Sequence, residues 1–121
     1  MIFSGISRIF STENDEQYET IGAFWDELSR KHGKNNLRGL GYNWTGTTIE
    51  YVIGFKEGEM PGAIVMVTLP DRGWKSVKGK IDCLGEIYEK IYENGALLYE
   101  IEMFSDDENC EILYFRNSKM G

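Results

Sequence analysis

Hydrophobic and polar positions along this chain recur with two different periods, and the changes between them divide it into elements. Residues 2–10 (Ile2-Phe3-Ser4-Gly5-Ile6-Ser7-Arg8-Ile9-Phe10) read as a first strand. From about 17 to 31 the apolar positions Tyr18, Ile21, Phe24, Trp25 and Leu28 have the spacing that lays one stripe down a helix. Ser11 or Thr12 and the acids that follow suit a helix N-terminus, and Lys31, Gly33 and Lys34 suit its end. Gly22 sits inside this helix, where glycine costs up to about 1 kcal/mol against alanine, so it is expected to permit close packing on a sheet. Residues 37–44 and 47–56 predict two strands around the turn Thr45-Gly46. The breaker-rich loop from Glu57 to Gly62 follows. Residues 63–69 are a nearly continuous apolar and β-branched run, which predicts a central strand. Pro70-Asp71-Arg72-Gly73 interrupts it, and 74–78 resumes the extended pattern. A second helix is expected over 81–93, burying Leu84, Ile87, Tyr88, Ile91 and Tyr92. Residues 97–104 and 110–116 predict a closing antiparallel pair around an acidic loop, and the tail from Asn117 is expected to fray.

The two helical segments overlay. Phe24-Trp25-Asp26-Glu27-Leu28 runs to His32-Gly33, and Ile87-Tyr88-Glu89-Lys90-Ile91 runs to Asn94-Gly95. Each half therefore reads as strand, helix and two strands, the first repeat over about 1–57 and the second over about 62–117. The fold predicted is α+β, a duplicated β-α-β-β unit. It forms one curved antiparallel sheet with both helices on one face, since each has one apolar stripe to bury, and leaves the opposite face as a ligand groove.

Composition narrows the function. With 121 residues, 41% of them hydrophobic, the chain makes a single domain with one core. A net charge of −7 argues against a nucleic-acid surface, which needs clustered Lys and Arg. It suits a cytoplasmic protein or one with neutral or cationic ligands. No apolar run is long enough for a membrane span and no export signal is visible at the start, so neither membrane nor export is expected. Cys83 and Cys110 are far apart and read as reduced structural thiols.

The chemistry is limited by what is missing. The one histidine, His32, falls at a helix end and reads as solvated. No catalytic triad, no zinc-type Cys/His spacing and no glycine-rich phosphate loop can be assembled, so neither metal nor cofactor is expected. What remains is strand carboxylates and aromatic rings. Strand alternation puts Tyr99, Ile101 and Met103 on one face and Glu100 and Glu102 on the other. The same rule sets Ile112 and Tyr114 opposite Glu111, Leu113 and Phe115, and Glu50 alternates likewise. If the helices take the apolar face, the carboxylates point into the groove. There a glutamate among aromatics has a raised pKa and attracts a cation or acts as a general acid. Phe24, Trp25, Tyr88 and Tyr92 sit at core spacing on helices; Tyr42, Trp44, Tyr51 and Trp74 lie on or beside strands, where a ring facing the groove would stack on flat ligands or hold a cation.

Several stretches resemble the GyrI-like effector-binding domain family, which includes gyrase-inhibitory proteins and the ligand domains of multidrug-responsive regulators. They are Gly5-Ile6-Ser7, Phe24-Trp25-Asp26-Glu27-Leu28, Leu37-Arg38-Gly39-Leu40, Glu50-Tyr51-Val52-Ile53-Gly54-Phe55, Leu69-Pro70, Gly73-Trp74-Lys75-Ser76-Val77, Ile87-Tyr88, Tyr99-Glu100 and Glu111-Ile112-Leu113-Tyr114. Their order and spacing cover nearly the whole chain. The resemblance implies a pseudo-twofold fold and a groove for bulky aromatic or cationic molecules, whose positive charge meets a late-strand glutamate ringed by tyrosines. By position Glu111 matches that glutamate and Glu100 a second acid. The pattern departs at Phe115-Arg116, where a proline often follows the glutamate motif.

A binding module for amphipathic, aromatic or cationic small molecules is therefore expected, a sensor, scavenger or regulator. Its ligand residues are Glu111, Trp44, Tyr42, Tyr51, Trp74 and Glu100. One alternative is a hydrolase of strained cyclopropane-type alkylating compounds, as some stand-alone relatives are, with Glu111 or Glu100 as the catalytic group. Another is a protein-interaction module of the gyrase-inhibitor kind, with a protein partner or a homodimer.

Overall fold

In a computed structural model the chain is described over residues 1–62 and 64–116; the tail from Asn117 lies outside them. The fold is α+β, with one antiparallel sheet of seven strands and two α-helices. The strands are β1 (Ile2–Ser11), β2 (Leu37–Tyr42), β3 (Thr48–Phe55), β4 (Val65–Thr68), β5 (Lys75–Lys80), β6 (Leu97–Phe104) and β7 (Asn109–Arg116). Helix α1 (Gln17–His32) joins β1 to β2, and α2 (Leu84–Glu93) joins β5 to β6. Across the sheet the order is β4-β1-β3-β2-β6-β7-β5.

Helix α1 follows its stripe, burying Phe24, Trp25 and Leu28. It ends where Gly33 takes φ +84, a conformation that suits glycine, with its N–H donating to the Ser29 carbonyl at 2.9 Å. Arg8 on β1 clamps the exposed side of α1 through a forked pair with Glu27, at 3.1 and 2.9 Å. At the end of α2, Arg116 donates to the carbonyls of Ile91 and of Gly95 just past the helix, tying β7 to the helix C-terminus.

Two expectations are corrected. Residues 65–68 form an edge strand, paired only to β1, with Val65 and Met66 exposed, and not a central strand. The sheet face opposite the helices is filled, not grooved. Phe3, Leu40, Val52 and Ile101 on that face are at most 1% exposed, and Leu69, Tyr42, Trp74, Tyr99 and Leu113 pack with them. The chain between β4 and β5 explains this. It crosses from one sheet edge to the other in seven residue steps, Thr68 to Lys75, reaching at most about 25 Å, whereas seven flat strands would be about 29 Å across. The sheet therefore curls, and the face away from the helices closes on itself as a core.

Both helices pack on the other face, the one that carries Glu100 and Glu102. Trp25 meets Phe104 edge-on, with ring centroids 5.0 Å apart, and Ile91 packs with Leu97 and Ile112. Among the described residues no helix is long and apolar enough to cross a membrane. Cys83 is exposed, Cys110 is buried, and neither is in a disulfide.

Candidate functional site

A cavity of about 220 Å³ lies between the helices. Gln17, Tyr18, Ile21, Gly22 and Trp25 of α1 form one wall, and Leu84, Gly85, Tyr88 and Tyr92 of α2 the other. Ile49 and Tyr51 of β3 with Glu100 and Glu102 of β6 form the floor, and Trp44 reaches in from the loop after β2. Glycines keep this space open. A Cβ on Gly22 or Gly85 would meet nothing within 4 Å, so Gly22 borders an opening and does not serve close packing on the sheet. On β2 the reverse holds: a Cβ at Gly39 would sit 2.3 Å from the Tyr51 hydroxyl, and one at Gly41 would sit 3.0 Å from Glu100 Oε1. Gly39 and Gly41 are register partners of Glu102 and Glu100, so β2 leaves room for the floor residues.

Glu100 is 6% and Glu102 9% exposed. Each carboxylate accepts one hydrogen bond from α2: Tyr92 Oη donates to Glu100 Oε2 at 2.8 Å, and Tyr88 Oη to Glu102 Oε1 at 2.5 Å. Tyrosines four apart on a helix share a face, and glutamates two apart on a strand share a face, so the two pairs stack in parallel. Tyr88 and Tyr92 are themselves stacked, centroids 5.9 Å apart. The second oxygen of each carboxylate accepts no hydrogen bond among the described residues. Deeper in, Trp25 Nε1 donates to Tyr51 Oη at 2.9 Å, and the Oε1 of Gln17 is buried without a partner.

Burial disfavours the charged form of these acids. It pushes the Glu100 carboxyl up to about 8, with the Glu102 charge adding to the rise and the Tyr92 hydrogen bond opposing it. Glu102 is also raised by burial, against the Tyr88 hydrogen bond and the Lys34 charge. The phenols of Tyr51, Tyr88 and Tyr92 are raised, first by burial and then by the neighbouring glutamates. Among the described residues no Lys, Arg or His lines the cavity.

Of the residues named on sequence grounds, Glu100, Trp44 and Tyr51 come together here. Glu111 lies elsewhere: it is half-buried on the opposite face of β7, register-paired with Lys78 and Met103. Tyr42 and Trp74 pack in the closed core on that face. Tyr42 donates to Glu50 Oε2 at 2.7 Å, and the Trp74 indole donates to the Pro70 carbonyl at 2.8 Å. The carboxylates thus divide between the faces instead of sharing one groove. Tyr88 and Tyr92, read as core, and Tyr18 and Gln17, not singled out as ligand residues, all line the cavity. The signal that would have found the tyrosines was their four-residue spacing above two strand glutamates, which need hydroxyl donors once a helix covers them. His32 is half-buried, its ring edge-on to Phe55 at 4.9 Å. Among the described residues no cluster of His, Cys, Asp and Glu is arranged to hold a metal.

Comparison with protein-family models, with curated proteins and with solved structures finds no match to this chain.

Proposed function

We propose that the protein is a binding module for small aromatic cations, with the ligand between α1 and α2. Glu100 and Glu102 supply the counter-charge, and Trp44, Tyr88 and Tyr92 supply ring surface. One observation carries this reading: two buried carboxylates face an aromatic-walled cavity that no basic side chain among the described residues enters. A buried acid normally has a charged partner in the fold, and an incoming cation would complete the set. The proposal draws on Glu100, Trp44 and Tyr51 and gives Glu111, Tyr42 and Trp74 no part.

The same proposal makes the chain a GyrI-like effector-binding domain built from a duplicated β-α-β-β unit. Its support is the strand order. β1-β3-β2 is followed by β6-β7-β5, so β1, α1, β2 and β3 take places equivalent to β5, α2, β6 and β7 about the β2–β6 pair. The second unit then begins at β5, and β4 is an addition at the edge.

A thermal-shift panel of planar cations and neutral aromatics, run on the protein and on Glu100→Gln, tests the function. A cation at about a hundred times its Kd stabilises the fold by about 2.7 kcal/mol, which is several degrees at this size. Cation-selective shifts that shrink in Glu100→Gln are expected. Equal shifts in both proteins, or none with any cation, would contradict the reading.

The neutral Glu100 carboxyl favours a second reading, since an acid that keeps its proton near neutral pH can donate it to a strained ring as the ring opens. Consumption of a cyclopropane-bearing alkylator faster than in buffer, lost in Glu100→Gln, would establish it; an unchanged rate would dismiss it.

A further inference from the structure

The cavity holds three side-chain oxygens that accept no hydrogen bond among the described residues. Tyr88 and Tyr92 already donate their hydroxyl protons to the glutamates. Left over are the buried, unpartnered Gln17 Oε1 and the second oxygens of Glu100 and Glu102, which are acceptors once the carboxyls ionise, beside the indole N–H of Trp44 and the Tyr18 hydroxyl on the walls. A buried acceptor without a donor is costly, and a ligand that brings N–H groups relieves it. The cavity, about 220 Å³, is smaller than the roughly 300–1,000 Å³ of drug-sized sites, which suits a single ring with a short polar head.

We propose that the cavity binds a one-ring organic cation bearing N–H donors, an aryl amidinium or primary aryl-alkyl ammonium, in exchange for a proton released from the Glu100–Glu102 pair. This rests on the cation-binding reading and goes further by specifying the donor chemistry and the proton balance. The step is an acid dissociation: a carboxyl O–H breaks, its electron pair stays on the oxygen, the proton goes to solvent, and the carboxylate accepts an N–H from the ligand. The groups facing the pair are Tyr18 of α1, Tyr51 of β3, Tyr88 and Tyr92 of α2, Cys110 of β7, and Lys34 ahead of β2, whose ammonium lies 4.1 Å over the Phe104 ring. The four phenols and the thiol are all shifted upward and stay protonated near neutral pH, so the carboxyl pair is what exchanges there.

Calorimetric titration of the full chain with benzamidine, in two buffers of different ionisation enthalpy from about pH 6 to about pH 9, reads this directly. Expected are release of up to one proton per ligand near neutral pH and an affinity rising by up to about tenfold per pH unit, levelling off above the carboxyl range. Phenyltrimethylammonium, with the same ring and charge but no N–H, is expected to bind at least about tenfold more weakly. Glu100→Gln keeps the shape and the acceptor for Tyr92; it should abolish most proton release, with the fold verified by circular dichroism. Benzamidine binding with no proton released and no pH dependence overturns the exchange alone. Equal binding of phenyltrimethylammonium overturns the N–H selectivity. Failure of every aromatic cation to bind overturns the cation-binding reading as well.

Discussion

Glu100 holds its proton up to about pH 8 in the folded chain because burial penalises the carboxylate. Unfolded, it releases that proton near pH 4.5, the ordinary carboxyl value. Between these two values the folded state binds more protons than the unfolded state, so stability falls as pH rises. The contribution is complete below the lower value and lost as pH passes through the upper one. Urea denaturation across this window should show the protein losing about a few kcal/mol with rising pH, and Glu100→Gln should lessen the slope to the part that the raised Glu102 carboxyl contributes. A wild-type curve with no slope there would mean that the carboxyl is ionised in the fold. At this scale the sequence was partly legible. Alternation put Glu100 and Glu102 on one face and raised the prospect of a shifted pKa. It did not reveal their partners, because Tyr88 and Tyr92 stand at spacings equally fit for core packing.

At the scale of elements, the helices and most strand limits followed from periodicity, since the stripe Phe24, Trp25, Leu28 admits one buried side. The choice of sheet face did not follow. Strand alternation says which residues share a face and is silent on which face a helix covers. Tyr99, Ile101 and Met103 looked like the helix-facing side, but the curl of the sheet closes that side on itself. The helices took the face with the carboxylates and met them with tyrosines. The apolar run at β4 misled for a related reason, because exposed Val65 and Met66 look like core in a linear pattern. Glycines on the two walls and on the floor now make opposite predictions. Gly22→Ala adds a methyl group to open space and should stabilise α1 by up to about 1 kcal/mol, while Gly39→Ala forces a Cβ into Tyr51 and Trp25 and should destabilise by about 1–3 kcal/mol. Chemical denaturation of both variants checks the pair; the opposite order would mean that the cavity walls are misplaced.

For the whole molecule, a net charge of −7 surrounds a cavity that holds two acids and, among the described residues, no base. That balance draws cations toward it and repels polyanions. The curled sheet gives the molecule two unlike sides, a packed core behind and a polar-floored cavity in front, and the second sets its space beside the two buried glutamates. Glu111 belongs to the first side, half-buried next to Lys78 and Met103. Glu111→Gln should therefore leave cation affinity within about twofold of wild type, by the same titration, because substitutions without shared contacts act independently. A large loss would return Glu111 to the site.

The most direct test of the cavity assignment is a proton–nitrogen NMR titration of the labelled protein with benzamidine. Shift changes are expected to concentrate on the amides of Tyr18, Gly22, Gly85, Tyr88 and Glu100, with those of Lys78, Met103 and Glu111 unmoved. Changes centred on Lys78, Met103 and Glu111, or none at saturating ligand, would contradict it.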